Sequence, residues 1–239
     1  MKLLFIRHAE PTHPIDDLTP QGEKEAAALA EWLKKQKIDE IYVSPLVRAQ
    51  KTFKAFQKVS GREAKEAEWL HEFKGKAHRP EYDRPYTAWD FPPSALRKEF
   101  FDVDGWRKMP EVVDTGCVDE YDRVVNAFFD CLAEHGYVKD GLNFKVTKPN
   151  HDTIVFFCHF GITSVLLSAL SNVSPYVYWQ NNVILPSGVS LLISEEREKG
   201  IASFRAQYIG SLTHLDEANI EPSFHARFCE CFDDDTRHL

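Results

Sequence analysis

MKLLFIRHAE, residues 1–10, sets the reading of the whole chain. Its apolar run, Leu3 to Ile6, reads as a buried strand that delivers Arg7 and His8 at its end. In open α/β sheets ligands gather just outside the carboxyl ends of the strands, so a cation and a nucleophile at that point suggest an active site. TIVFFC, Thr153 to Cys158, repeats the pattern. It is a continuous apolar run, as a central strand buried on both faces requires, and it delivers His159, Phe160 and Gly161. Ile41 to Val43 reads as a third strand, ending in Ser44-Pro45 ahead of a helix that carries Arg48. The rhythm of strand, turn and helix predicts an α/β fold in three layers, α/β/α, with a mostly parallel central sheet.

The helices are marked by capping and period. Thr19 reads as an N-cap with Pro20 as first helical residue, and Ala26, Leu29, Ala30 and Leu33 then recur with helical spacing. Val118, Tyr121, Val124, Val125, Phe128, Phe129 and Leu132 form a second stripe, predicting a core helix over roughly 118 to 135. A third helix is expected from Ile162 to Ser171, and residues 136–152 read as a polar loop. Val189 to Ser194 and Ala202 to Ile209, joined by a charged turn, read as an antiparallel hairpin at the sheet edge. Between these, Phe73 to Trp106 holds eight aromatics and four prolines with little periodicity. Such a stretch is too long for a simple connection, so an inserted lid lobe is expected over about 73–115. Residues 1–215 then form one catalytic domain and 216–239 an acidic tail. In the tail Phe224, Phe228 and Phe232 recur every four residues. They predict a short amphipathic helix docked on the chain's own core or, in a homodimer, on a second copy, while the last residues, DDDTRHL, are expected to fray.

Composition narrows the function. The 239 residues carry a net charge of −8, which disfavours nucleic-acid binding, so any phosphate site must be locally basic. The first apolar run is too short for a secretory leader, and no segment is long enough to span a membrane. Five cysteines, Cys117, Cys131, Cys158, Cys229 and Cys231, follow no framework spacing, which fits reduced thiols in a cytoplasmic protein. His225, Cys229 and Cys231 supply only three potential metal ligands, fewer than a structural site takes.

Two strands thus end in histidines, His8 and His159, with Arg48 beyond a third strand end and Glu72 beyond a possible fourth. Two arginines, two histidines and a carboxylate converging on one cleft suit a phosphoryl group, whose oxygens match the planar donors of Arg. At this point the chain resembles the histidine phosphatase superfamily, which includes cofactor-dependent phosphoglycerate mutases. RHAE at 7–10 is similar to the family's R-H-G motif, and LTPQG at 18–22 to its L-T-x-x-G helix start. SPLVRAQKT at 44–52 resembles S-x-x-x-R-A-x-x-T, LHE at 70–72 resembles L-x-E, and CHFG at 158–161 resembles S-H-G-G.

The resemblance implies His8 as the nucleophile that becomes a phosphohistidine, with Arg7, Arg48 and His159 holding the phosphoryl oxygens and Glu72 as the acid. Glu66 and Glu68 lie close enough in sequence to compete with Glu72 for that role. Phe160 and Gly161 are expected to line the substrate site, the helix beginning near Gly161 adding backbone donors. Neither a metal nor another cofactor is implied. Pro11 and Pro14 stand where the mutases carry a hydroxyl residue and an asparagine, so hydrolysis is favoured over mutase chemistry. The expected activity is that of a metal-independent phosphomonoesterase of the histidine acid phosphatase type, acting on a small organic phosphate. A phosphoglycerate mutase and a catalytically weak phospho-ligand binding module are the alternatives. Arg79 and Arg84 of the lid are candidates for selecting the leaving group.

Overall fold

The computed structural model describes residues 1–12, 14–79, 81–225 and 227–234. Its centre is an eight-stranded sheet. In chain order the strands are β1 (Lys2–Arg7), β2 (Glu40–Val43), β3 (Lys65–Glu66), β4 (Tyr137–Asp140), β5 (Asn143–Val146), β6 (Thr153–Cys158), β7 (Val189–Glu198) and β8 (Ile201–Ser211). Across the sheet the order is β3-β2-β6-β1-β7-β8-β5-β4. The pairs from β3 to β1 are parallel and those from β1 to β4 antiparallel, so six of the eight strands point the same way.

The expected hairpin is therefore not the edge of the sheet. Residues 136–152, read as a polar loop, contain the hairpin β4–β5, which forms that edge. Its sequence looks polar because only Tyr137 and Phe144 are buried, while Lys139 and Lys145 face outward, as edge strands require.

Helices cover both faces. On one side α1 (Pro20–Lys34) and α2 (Val47–Ser60) lay Leu29, Ala30, Leu33, Phe53 and Phe56 against Leu4, Ile6, Val43, Val155 and Phe157. On the other, α3 (Cys117–Glu134) and α4 (Phe160–Ser171) pack Phe128, Leu132 and Val165 with Leu3, Phe5, Ile154 and Phe156. The alternation of β1 and β6 residues between these cores is the period-two signature of strands buried on both faces. Thr19 caps α1 as its sequence predicts, its side chain accepting Gly22 N–H, with Pro20 in the first turn.

Between β3 and α3, Phe73 to Gly116 holds a two-stranded pair, Lys76–Ala77 with Tyr86–Thr87, and a one-turn helix, Lys98–Phe101. Its Phe91, Phe100 and Trp106 surround Tyr176 of α5 (Pro175–Asn181). After β8 comes α6 (Thr213–Ala218).

The amphipathic helix expected on the phenylalanine stripe does not form among the described residues. Phe228 and Phe232 are 83% and 95% exposed. Three apolar residues offer too small a face to offset helix nucleation, and Asp233 and Asp234 would sit at the negative end of the helix dipole. His13 and the final residues, 235–239, lie outside the described residues. Among the described residues no helix is long and apolar enough to cross a membrane.

Candidate active site

Parallel register brings three strand ends into line. Arg7 of β1 pairs with Cys158 of β6, and Phe157 of β6 with Val43 of β2. The residues just beyond, His8, His159 and Ser44, follow from that alignment. His8 N–H donates to Cys158 O and Ser44 N–H to Phe157 O, each at 2.9 Å. The two imidazole rings lie 5.0 Å apart.

His8 is 3% exposed, and its Nδ1 lies 2.8 Å from Ala9 O. A carbonyl can only accept, so Nδ1 carries the proton and Nε2 of the neutral ring carries the lone pair. Burial, then Arg7 and Arg48, push the His8 pKa well below its usual value, so the ring is neutral at physiological pH. Ala9 N–H donates to Thr52 Oγ1 at 3.0 Å, which ties the loop after the nucleophile to α2.

His159 is fully buried, and its Nε2 lies 2.7 Å from Ser44 Oγ. That hydroxyl accepts Leu46 N–H at 3.3 Å and keeps its own proton for the imidazole. Burial first, then His8 and the two arginines, hold His159 neutral as well. Its Nδ1 is buried without a hydrogen-bond partner.

The arginines are held differently. Arg7 donates from Nη1 to Ile184 O at 2.6 Å, and its Nε is buried without an acceptor. Its guanidinium lies 5.9 Å from the centre of the Phe160 ring, and burial lowers its pKa to about 10. Arg48 donates from Nη1 to Asp16 Oδ1 at 2.6 Å, while Asp16 Oδ2 accepts Val47 N–H at 2.8 Å. Asp16 therefore fixes Arg48 and supplies an acceptor at the start of α2, where Leu46 provides no side-chain cap.

Glu72 sits at the N-terminus of α4. Its Oε1 accepts Phe73 N–H at 2.8 Å and Ile162 N–H at 3.0 Å, and Oε2 accepts Gly161 N–H at 3.3 Å. The helix donors expected to reach a substrate are thus taken by a side chain, because the carboxylate is the anion that the N-terminus attracts. A Cβ on Gly161 would fall 2.8 Å from Glu72 Oε1 and 2.7 Å from the Trp89 ring, so only glycine lets carboxylate, helix and indole meet. Burial raises the Glu72 pKa, against the opposing pull of the three backbone donors and Arg7.

Arg7, His8, Arg48, Glu72 and His159 are thus brought to one edge of the sheet. Glu66 lies on β3 and bonds Gln50, and Glu68 is exposed, so neither meets α4 as Glu72 does. Phe160 faces Arg7, and Gly161 N–H faces Glu72. Arg79 is turned inward: it donates to Asp90 O, pairs with Asp90 and Glu81, and stacks on Tyr82 and Tyr86, so it organises its own segment. Arg84 is exposed. Asp16 and Trp89 were missed by sequence reasoning, since no spacing marks either. Ser44 stood inside a recognised motif as a structural residue, and its buried hydroxyl at a strand end was the available signal.

Residues 3–99 match the family model of the Histidine phosphatase superfamily (branch 1). No curated protein sequence matches the chain. Among solved structures, the fold is similar to that of a phosphoserine phosphatase mutant from Entamoeba histolytica in complex with phosphoserine, at TM-score 0.59 and 21% identity, covering 90% of this chain and 98% of that one. It is also similar to a mycobacterial glucosyl-3-phosphoglycerate phosphatase, at TM-score 0.60 and 18% identity, covering 88% and 98% of the two chains. The chain carries the sequence of the histidine phosphatase superfamily over residues 3–99 and shares the fold of these two phosphatases over about nine-tenths of its length.

Proposed function

We propose that the protein hydrolyses a phosphate monoester through a phosphohistidine on His8. The observation that carries this reading is the state of His8: a neutral imidazole whose Nδ1–H is bound to Ala9 O, which leaves the Nε2 lone pair to attack beside two arginines and His159. In the first step Nε2 forms a bond to phosphorus as the ester P–O bond breaks, and Glu72 gives its proton to the departing oxygen. In the second, the Glu72 carboxylate takes a proton from water, the water oxygen bonds to phosphorus, and the P–N bond breaks to return neutral His8. The unpaired Nε of Arg7 and Nδ1 of His159, with Arg48, are donors for the phosphoryl oxygens as charge spreads over them. These fixed cations perform the charge stabilisation that a metal would otherwise supply.

The substrate is a small organic phosphate. Phosphoserine and glucosyl-3-phosphoglycerate are the substrates named for the two structural relatives, and both are small monoesters. Mutase chemistry is disfavoured because Pro11, buried and paired with Leu18, offers no side-chain donor where the mutases carry a hydroxyl.

Rapid quench with a labelled ester in EDTA tests the reading. Acid-labile, base-stable label on the protein, absent from His8→Ala, is expected together with release of inorganic phosphate. Turnover abolished by EDTA, or label retained in His8→Ala, would overturn it.

A further inference from the structure

Glu25 of α1 is fully buried, yet it lies outside the chemistry described above. Its carboxylate joins two distant pieces of backbone. Oε2 accepts Glu10 N–H at 2.8 Å, and Oε1 accepts Ser223 N–H at 3.1 Å. Glu10 is two residues past the nucleophile, so a single side chain pins the C-terminal segment beside the His8 loop. Gln21, also on α1, adds a bond from Nε2 to Glu221 O at 2.9 Å.

Two basic side chains follow this anchor. His225 N–H is held by Ser223 Oγ at 3.1 Å, and the charge that His225 carries when protonated acts on His8, which sets it near the nucleophile. Arg227 stacks over the Phe224 ring at 4.8 Å and donates to Ser223 O at 3.4 Å, with its Nε buried and lacking an acceptor. The arginines of the site already have commitments, Arg7 to Ile184 O and Arg48 to Asp16. Burying the Glu25 carboxyl is costly, and burial raises its pKa to about 7. Such a cost is offset where the anchored segment has work to do.

We propose that the segment carrying Ser223, His225 and Arg227 walls the site on the leaving-group side, and that His225 and Arg227 receive a second anionic group on the substrate. The preferred substrates are then phosphate monoesters that also bear a carboxylate or a second phosphate. The proposal rests on the reading of His8 as the phosphate-accepting group, and its test does not depend on turnover.

Binding to the full-length His8→Ala chain is measured by calorimetry for 3-phosphoglycerate, propane-1,3-diol bisphosphate and glycerol 1-phosphate. One of the two dianionic probes is expected to bind at least about tenfold tighter than glycerol 1-phosphate, the effect of one charge-assisted contact. The tighter of them distinguishes carboxylate from phosphate as the second anion. Arg227→Ala and His225→Ala in that background are expected to bring the ratio down toward one, and Arg227→Lys to restore part of it. A purely structural role would weaken all three probes equally and leave the ratio intact, which overturns the proposal. A ratio of one in the parent, or no binding of any probe, overturns it as well. Absence of turnover by the unmodified chain on every ester, with the ratio still present, overturns the phosphatase reading alone.

Discussion

Replacing Glu72 by glutamine removes a proton donor while keeping the acceptor that organises the loop. Oε1 receives two backbone N–H groups at 2.8 and 3.0 Å, whereas Oε2 has only Gly161 N–H at 3.3 Å. The acid proton therefore belongs on Oε2, and the glutamine carbonyl takes the place of Oε1 with both stronger bonds intact. General acid catalysis is worth roughly 10²–10⁴ in rate, about 2.7–5.4 kcal/mol of transition-state stabilisation. The loss should depend on the leaving group. Glycerol 1-phosphate expels an alkoxide that needs the proton and is expected to lose that full factor in kcat/KM; p-nitrophenyl phosphate expels a stable phenolate and should lose less than about tenfold. Using kcat/KM confines the comparison to the first chemical step, since hydrolysis of the phosphoenzyme affects only kcat. The pH profile supplies a second readout. Burial raises the Glu72 pKa from 4.5, so the donating form is present below that raised value and is lost as pH rises through it. The alkyl ester should show this alkaline fall, and Glu72→Gln should lack it. His8 contributes no limb near 6.5, because its pKa is pushed well below that value. Equal losses on the two esters, or an acid limb near 6.5, would refute the assignment.

Three further substitutions probe the supporting contacts. Ser44→Ala deprives His159 Nε2 of its partner and should lower kcat/KM about tenfold, on the scale of one hydrogen bond; unchanged kinetics with a lower Tm would mean that Ser44 only packs. Asp16→Ala frees Arg48 and removes the acceptor of Val47 N–H, so KM should rise by about tenfold and helix α2 should lose about 1 kcal/mol of stability. A fall in KM would show instead that Asp16 competes with phosphate for Arg48. Gly22→Ala sets a Cβ against Glu10 O and 2.9 Å from Glu10 N, the group that Glu25 binds. Thermal unfolding should show a cost of about 1–3 kcal/mol, a Tm lowered by roughly 2–12 °C, and an unchanged Tm would mean that the loop at Glu10 yields freely.

What could be read from the chain was whatever its own neighbours in sequence enforce. TIVFFC is a central strand because six buried residues in succession leave a strand no solvent face, and Thr19-Pro20 starts a helix because cap and ring act within one turn. The two histidines could be placed on one edge because parallel strands ending in a histidine must share it. The partners that hold those residues were not legible in this way. Glu72 meets Gly161 and Ile162 across 89 and 90 positions, and Glu25 meets Ser223 across 198, distances at which spacing carries no information. The same limit explains why the helix start at Gly161 was read as open to phosphate. Its sequence shows unsatisfied N–H groups, and only the tertiary fold shows that a carboxylate already satisfies them. If that carboxylate is the acid, the contact has a chemical consequence. The N–H groups that hold Glu72 in place also favour its ionised form, and the burial that includes the Trp89 wall opposes them, so the balance at this helix end sets when the proton is given up.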